Sequence, residues 1–223
     1  MVDENLTDEQ QAELVKNWWR ENGLYIAGGL ILGIGGLFGW EAWQQSKAIT
    51  AGEASIAFEE MAIAINQDRY NKAEEVHDLL TTEYASTPYA DNAELALAMT
   101  RMQQNDAEGA IEVLQRLIDG GSDEALRKLA KLRLGRVQLH NGNLEAAADE
   151  AAYSGDDAFA PLFADLRGDI AYARGDLEGA RIEYQTALEA AGPGFPQAGY
   201  VQVKLDSIAV SEPVAAAEPA VVE

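Results

Sequence analysis

Hydrophobic and polar positions follow two different rules along this chain. From Asn22 to Trp40, 19 residues, the side chains are almost all apolar or glycine, and between Glu21 and Glu41 the only ionisable group is the phenol of Tyr25. As a helix such a run reaches roughly 28 Å, about the hydrocarbon thickness of a bilayer. All four tryptophans stand at its ends, Trp18 and Trp19 before it, Trp40 and Trp43 at and after its exit. Indole favours the headgroup level, where its apolar body and its N–H are both satisfied. The pattern predicts a transmembrane helix over residues 22–43, preceded by a segment 1–21. A buried core helix and a cleaved signal peptide are the alternatives. Ser46-Lys47-Ala48 offers a small-x-small site, but Asp3, Glu4, Asp8, Glu9 and Glu13 precede the apolar run and Trp40 and Trp43 crowd the approach to it. Signal peptides have a short basic start and a shorter apolar centre.

Lys16 and Arg20 lie just before the span and only Lys47 close after it. The excess of basic residues on the N-terminal side predicts a cytoplasmic N-terminus and export of everything downstream. Within the span, Gly29-x-x-x-Gly33 and Gly35-x-x-x-Gly39 set small residues on adjacent faces. Gly29, Gly33, Gly35 and Gly39 are therefore candidates for close packing against another membrane helix, although glycine is common in such helices in any case. Gly33-Ile34-Gly35 does not begin a phosphate-binding loop, because Phe38 stands where that motif needs glycine.

Beyond residue 43 the rule changes to helical periodicity. Ala, Leu and Glu dominate, and between residues 41 and 192 proline occurs only at Pro88 and Pro161, each ahead of an apolar helical pattern. No stretch alternates as a strand would. The expected fold class is all-α: one N-terminal transmembrane helix, then a divergent tetratricopeptide-like α-solenoid over residues 44–210. The repeat is visible in three turns, Asn105-Asp106-Ala107-Glu108-Gly109-Ala110, Gly142-Asn143-Leu144-Glu145-Ala146-Ala147 and Gly175-Asp176-Leu177-Glu178-Gly179-Ala180. Their last alanines are 37 and 33 residues apart, and twelve residues before each stands Ala98, Gly135 or Gly168. Extending the period backwards puts Asp68 in a turn, Ala73 at the alanine and Met61 at the small position, a poor match at the last. A period near 34 with small residues where two helices cross is the tetratricopeptide pattern. An ordinary α-bundle is the alternative. Gly or Asn would close the first helix in a left-handed conformation, and the Asp or Asn after it would cap the second. Gly192-Pro193-Gly194-Phe195-Pro196 breaks the array, and residues 197–210 read as a capping helix with Val201, Leu205 and Ile208 on one face. Residues 211–223, rich in Pro, Ala and Glu, read as a disordered tail.

Charge and chemistry narrow the function. The chain of 223 residues holds 16 Lys and Arg against 38 Asp and Glu and no cysteine. Residues 22–210 keep 29 of the acids and 14 of the bases. Such a surface repels nucleic acid and anionic lipid. Without cysteine there is no disulfide, thiol nucleophile or thiolate metal site. His77 and His140 have no neighbour at metal-ligand spacing, and His140 is expected at a helix end. No hydrolase, zincin or nucleotide-binding motif occurs, so neither enzyme activity nor a cofactor or metal is expected. Binding is what stacked helix pairs offer, on a concave surface lined by the first helix of each unit. In this register its middle positions are Met99 and Met102, Arg136 and Leu139, and Asp169 and Tyr172. Methionine adapts to varied apolar partners, though both methionines could equally belong to the core. Arg127, Lys128, Lys131, Arg133 and Arg136 fall within ten positions. Local pairing with the acidic surroundings is the expected role, and a docking site for an acidic partner the alternative.

Three stretches of this chain resemble the YfgM family. The first is Val15-Lys16, Trp18-Trp19 and Glu21-Asn22-Gly23, with Ile31-Leu32-Gly33-Ile34-Gly35 and Gly39-Trp40. The second is Leu132-Arg133-Leu134 with Arg136-Val137-Gln138. The third is Ala164-Asp165-Leu166-Arg167-Gly168 with Gly175-Asp176 and Gly179-Ala180-Arg181, a run the generic repeat does not require. The acidic N-terminus and the tail beyond Val210 depart from the family pattern. The resemblance implies a single-pass (type II) inner-membrane protein of Gram-negative bacteria with a cytoplasmic N-terminus and a periplasmic tetratricopeptide-like domain. It also implies association with the SecYEG translocon and a membrane-anchored periplasmic prolyl isomerase, and transfer of exported chains to periplasmic chaperones. It carries no catalytic residues. The alternative reading is a scaffold or regulator of another envelope complex.

Overall fold

A computed structural model describes residues 8–192 and 195–211. The expected tail beyond Ser211, the Pro193-Gly194 step and the first seven residues lie outside the described residues. Among the described residues the regular structure is helix throughout, with no strand. In chain order the helices are α1 (Asp8–Asn66), α2 (Tyr70–Thr82), α3 (Pro88–Gln103), α4 (Ala107–Gly120), α5 (Glu124–His140), α6 (Leu144–Ala151), α7 (Ala160–Ala173), α8 (Leu177–Ala190) and α9 (Ala198–Ser211). The chain divides into two units, residues 1–53 and 54–223.

In the first unit α1 is bare. Leu24, Leu30, Ile31, Leu32, Leu37 and Phe38 are each more than 60 % exposed, and no charged side chain stands among them. A helix satisfies all its own backbone hydrogen bonds, so its apolar surface can be surrounded by hydrocarbon but not stably by water. It is the one helix among the described residues long and apolar enough to cross a membrane. At the exit Trp40 and Trp43 lie 5.0 Å apart, and Lys47 Nζ sits 3.9 Å over the Trp43 ring. That is an aromatic anchor with a lysine whose stem can run along apolar surface to a polar level. A Cβ added at Gly29, Gly33, Gly35 or Gly39 would meet nothing within 4 Å among the described residues.

In the second unit each helix from α2 onward packs on the next in chain order, and α3, α5 and α7 also touch in succession. This is the contact pattern of stacked helix pairs. The pairs close as the repeat requires. Asp68, Asn105, Gly142 and Gly175 occupy equivalent turns, all with positive φ, 56°, 60°, 78° and 78°. At each, the N–H of the left-handed residue bonds the carbonyl three back at 2.9–3.1 Å, and the next N–H bonds the carbonyl five back at 2.9–3.0 Å. These are Schellman closures of the first helix. The second helix is capped by Asp106 and Asp176, whose carboxylates accept from the Gly109 and Gly179 N–H at 2.9 Å. Asn143 departs from expectation: its side chain makes no cap, and its amide donates instead to Gln138 Oε1 at 2.9 Å.

Where the helices of a pair cross, Met61 and Ala73, Ala98 and Ala110, Gly135 and Ala147, and Gly168 and Ala180 are all buried. The 37- against 33-residue spacing arises mainly from helix length, α5 having 17 residues and α7 only 14. Pro88 and Pro161 sit in the first turns of α3 and α7, where a missing N–H costs no helical bond. Val201 and Ile208 of α9 are buried with Tyr184, Ala180 and Ala187 of α8, and Leu205 packs beside them, so α9 covers the last pair as expected.

Candidate functional site

The Asp-Leu-Arg-Gly run of α7 shows how the second unit is held rigid. Leu166 is fully buried, and Gly168 lies against the Tyr184 ring. Arg167 Nε donates to Glu183 Oε2 at 2.9 Å. Asp165, 4 % exposed, is reached by Lys204 Nζ of α9 at 2.7 Å. The same ammonium donates to Asp169 Oδ2 at 2.7 Å, and Asp169 Oδ1 accepts from the Tyr184 hydroxyl at 2.7 Å. Burial pushes the Asp165 carboxyl above its ordinary range, with Asp169 adding to the shift, while Lys204 opposes it. Burial and the Asp169 hydrogen bond push the Tyr184 phenol up. Four charged or polar groups thus tie α7, α8 and α9 together.

A second cluster ties α2 to α3 and α4. His77, 5 % exposed, has Nε2 3.1 Å from Glu94 Oε2, a close but poorly aligned approach, and Nδ1 3.2 Å from Asp78 Oδ1. Glu94 also accepts from Arg116 Nε and Nη2 at 3.3 and 3.2 Å. Burial opposes the charge on both partners, but the pairing outweighs it: the His77 pKa is raised and the Glu94 pKa lowered. Asp91 Oδ2, nearly buried, accepts from the Ser122 N–H, the Ser122 hydroxyl and the Asp123 N–H at 2.9–3.0 Å, fixing the turn into α5. Sequence spacing could not pair His77 with Glu94, because the two meet across helices. His140 is the last residue of α5, as expected.

The candidate binding residues divide into groups. Met99 and Met102 of α3 and Arg136 of α5 share one open pocket of about 290 Å³ with Leu114, Arg133 and Val137. Met99 is 50 % exposed, whereas Met102 is partly buried against the core. The others do not join them. Leu139 packs against the buried cluster of Leu132, Phe163 and Ile170. Asp169 is engaged by Lys204 and Tyr184, and Tyr172 is exposed nearby on α7. Leu114 and Val137, which form part of the pocket floor, carry no mark in the sequence beyond helical periodicity.

The basic residues of α5 also divide. Lys128 pairs with Glu124 at 2.8 Å and Asp157 at 2.9 Å. Arg127 donates to the Gly121 carbonyl at 3.3 Å. Arg133 donates to the Leu95 carbonyl at 3.3 Å, and Arg136 approaches Asp165 at 3.5 Å. The pocket therefore sets apolar contact beside two guanidinium groups.

Comparison with known proteins agrees with the geometry. A tetratricopeptide repeat-like domain family matches residues 16–210. The ancillary SecYEG translocon subunit of Haemophilus influenzae is 30 % identical over 185 residues, covering 83 % of this chain and 90 % of that protein. The Escherichia coli protein of the same name is 29 % identical over 204 residues, 91 % of this chain and 97 % of its own length. That of Aggregatibacter actinomycetemcomitans is 30 % identical over 203 residues, with 91 % and 98 % covered.

Proposed function

Because this chain belongs to the YfgM family of ancillary SecYEG translocon subunits and carries its tetratricopeptide repeat-like domain, we propose that it is a non-enzymatic adaptor at the SecYEG translocon. The N-terminus is cytoplasmic, α1 spans the inner membrane once, and the repeats stand in the periplasm. There they bind exported chains, a membrane-anchored prolyl isomerase and periplasmic chaperones, and promote transfer between them. The observation that carries this reading is the pairing of a bare apolar helix with a helical-repeat unit that holds an open pocket around Met99 and Met102. Tethering raises the local concentration of the pocket at the exit of a translocon, so weak contacts suffice. The adjacent faces carrying Gly29 with Gly33 and Gly35 with Gly39 are where a membrane partner would pack.

The test is purification of the full chain from membranes in mild detergent, with a reporter fused at its C-terminus to read topology. Recovery of translocon subunits together with a periplasmic reporter supports the adaptor. A cytoplasmic reporter, or recovery of another envelope complex without any translocon subunit, overturns it.

A further inference from the structure

The pocket at Met99 has a border of unusual charge. Arg101, Arg116, Arg167, Arg174 and Arg181 each sit on a carboxylate of the same unit: Glu74, Glu94, Glu183, Glu145 and Glu178 respectively. Arg133 does not. It donates to the Leu95 carbonyl, and among the described residues it meets no carboxylate within ion-pair distance. One turn on, Arg136 is exposed and has only the long approach to Asp165, whose other oxygen Lys204 holds at 2.7 Å. Burial and the neighbouring Arg136 charge both push Arg133 below the usual guanidinium range. In a region where acids outnumber bases two to one, two adjacent arginines stand without a tight carboxylate partner. A guanidinium half out of water gains most from a carboxylate that shares its desolvated surface.

The apolar part of the site lies directly beside this pair. Met99, Met102, Leu114 and Val137 line the same pocket as the two arginines. Its volume of about 290 Å³ is at the lower edge of the range of roughly 300–1,000 Å³ typical of ligand pockets, which suits a few side chains. The pocket is open rather than blind, so a chain can run across it.

We propose that this pocket binds a polypeptide segment in which an apolar side chain is adjacent to an internal Asp or Glu. The apolar side chain enters among Met99, Met102, Leu114 and Val137, and the carboxylate pairs with Arg133 and Arg136. This rests on the protein-binding reading above and names the chemistry of its partner. Charge complementarity selects the occupant. The acidic surface of the unit attracts basic segments everywhere and without register. An acidic segment is repelled from most of that surface and gains where these two arginines stand beside the apolar pocket, while like charge around it disfavours the wrong poses.

The test uses the full chain in lipid nanodiscs and fluorescence anisotropy with a dye-labelled, C-terminally amidated peptide centred on Glu-Leu-Phe-Glu. Companion peptides replace both Glu by Gln, replace Leu-Phe by Ser-Ser, or carry their only carboxylate at a free C-terminus. The Glu peptide is expected to bind at least tenfold tighter than each companion. That preference should fall to less than threefold in Arg136→Gln, an exposed substitution that leaves the fold intact, and in Arg133→Gln. Met99→Glu should weaken the Glu peptide at least tenfold. Equal binding of the Glu and Gln peptides, tighter binding of the free C-terminus, or no binding of any peptide overturns the proposal. Photocrosslinking from Met99 to translocon clients reads the adaptor function separately, so adducts there without a Glu preference would leave the adaptor standing and remove this chemistry alone.

Discussion

Gly168 of α7 lies so close to Tyr184 of α8 that a Cβ on the glycine would stand 2.5 Å from Cδ1 of the ring. The ring cannot retreat, because it is buried and its hydroxyl is held by Asp169. Gly168→Ala therefore separates the helix pair. The expected cost is about 2 kcal/mol, the overpacking penalty less the helix propensity gained by alanine. At Gly135 the first contact is the Leu166 Cδ2 at 2.7 Å, the end of a flexible side chain. Gly135→Ala is expected to cost less than Gly168→Ala. Thermal unfolding of the two variants, followed by far-ultraviolet circular dichroism, checks the order.

The turn glycines act through backbone conformation alone. Gly142 and Gly175 have φ of 78°, and a Cβ there would meet nothing within 4 Å. Substitution by alanine places an L-residue in the left-handed region at a cost of about 1–2 kcal/mol with no packing change. Asn105→Gly is expected to be neutral or slightly stabilising, since Asn105 already bears that strain at φ 60°. Equal losses at Gly142 and Gly175 in denaturant titrations support the equivalence of the turns.

Lys204→Met removes the ammonium that compensates Asp165. The buried carboxylate keeps only a long contact to Arg136, so the expected loss is about 3 kcal/mol. Because the cost comes from an unpaired buried charge, adding Asp165→Asn should recover more than half of it. Hydrogen exchange localises the effect: protection in α9 should fall before protection in α3 or α4.

The His77–Glu94 pair predicts a pH window. The His77 pKa is raised on folding, so its contribution is full below the ordinary value of 6.5 and is lost as pH rises through the raised one. The Glu94 pKa is lowered, so its contribution is present above the ordinary 4.5 and is lost as pH falls through the lowered one. The pair is strongest between the two values. His77→Gln should lower the melting temperature in that window and flatten the fall in stability that the parent shows as pH rises above 6.5. A variant whose profile parallels the parent would contradict the assignment.

The turn register, the crossing positions and the capping helix were legible because each is local: Asn105, Gly142 and Gly175 declare a left-handed residue, and Ala110, Ala147 and Ala180 follow at fixed distance. The divergent first unit closes the same way, with Asp68 in the same turn and Met61 buried at the crossing position that small residues fill in the other units. The side-chain networks were not legible. Lys204 meets Asp165 across 39 positions, and Arg116 meets Glu94 across 22, distances at which sequence carries no pairing signal. Of the positions that register places on one concave surface, only Met99, Met102 and Arg136 share a pocket. Register alone assigned Leu139 and Asp169 to the same surface, but packing of Leu139 toward Phe163 and the pull of Lys204 on Asp169 took them elsewhere. Asn143 fits the cap position by residue type, yet its side chain turned to Gln138.

The central claim, an adaptor whose repeats receive exported chains, is tested most directly by a photocrosslinking amino acid at Met99 in the full chain, with an exported protein arrested in the translocon. Gln185 on α8, exposed and away from the pocket residues in sequence, serves as the reference position. The account predicts adducts between Met99 and the arrested chain, or a periplasmic chaperone bound to it, that are absent at Gln185. No adduct at Met99, or equal adducts at both positions, would contradict it.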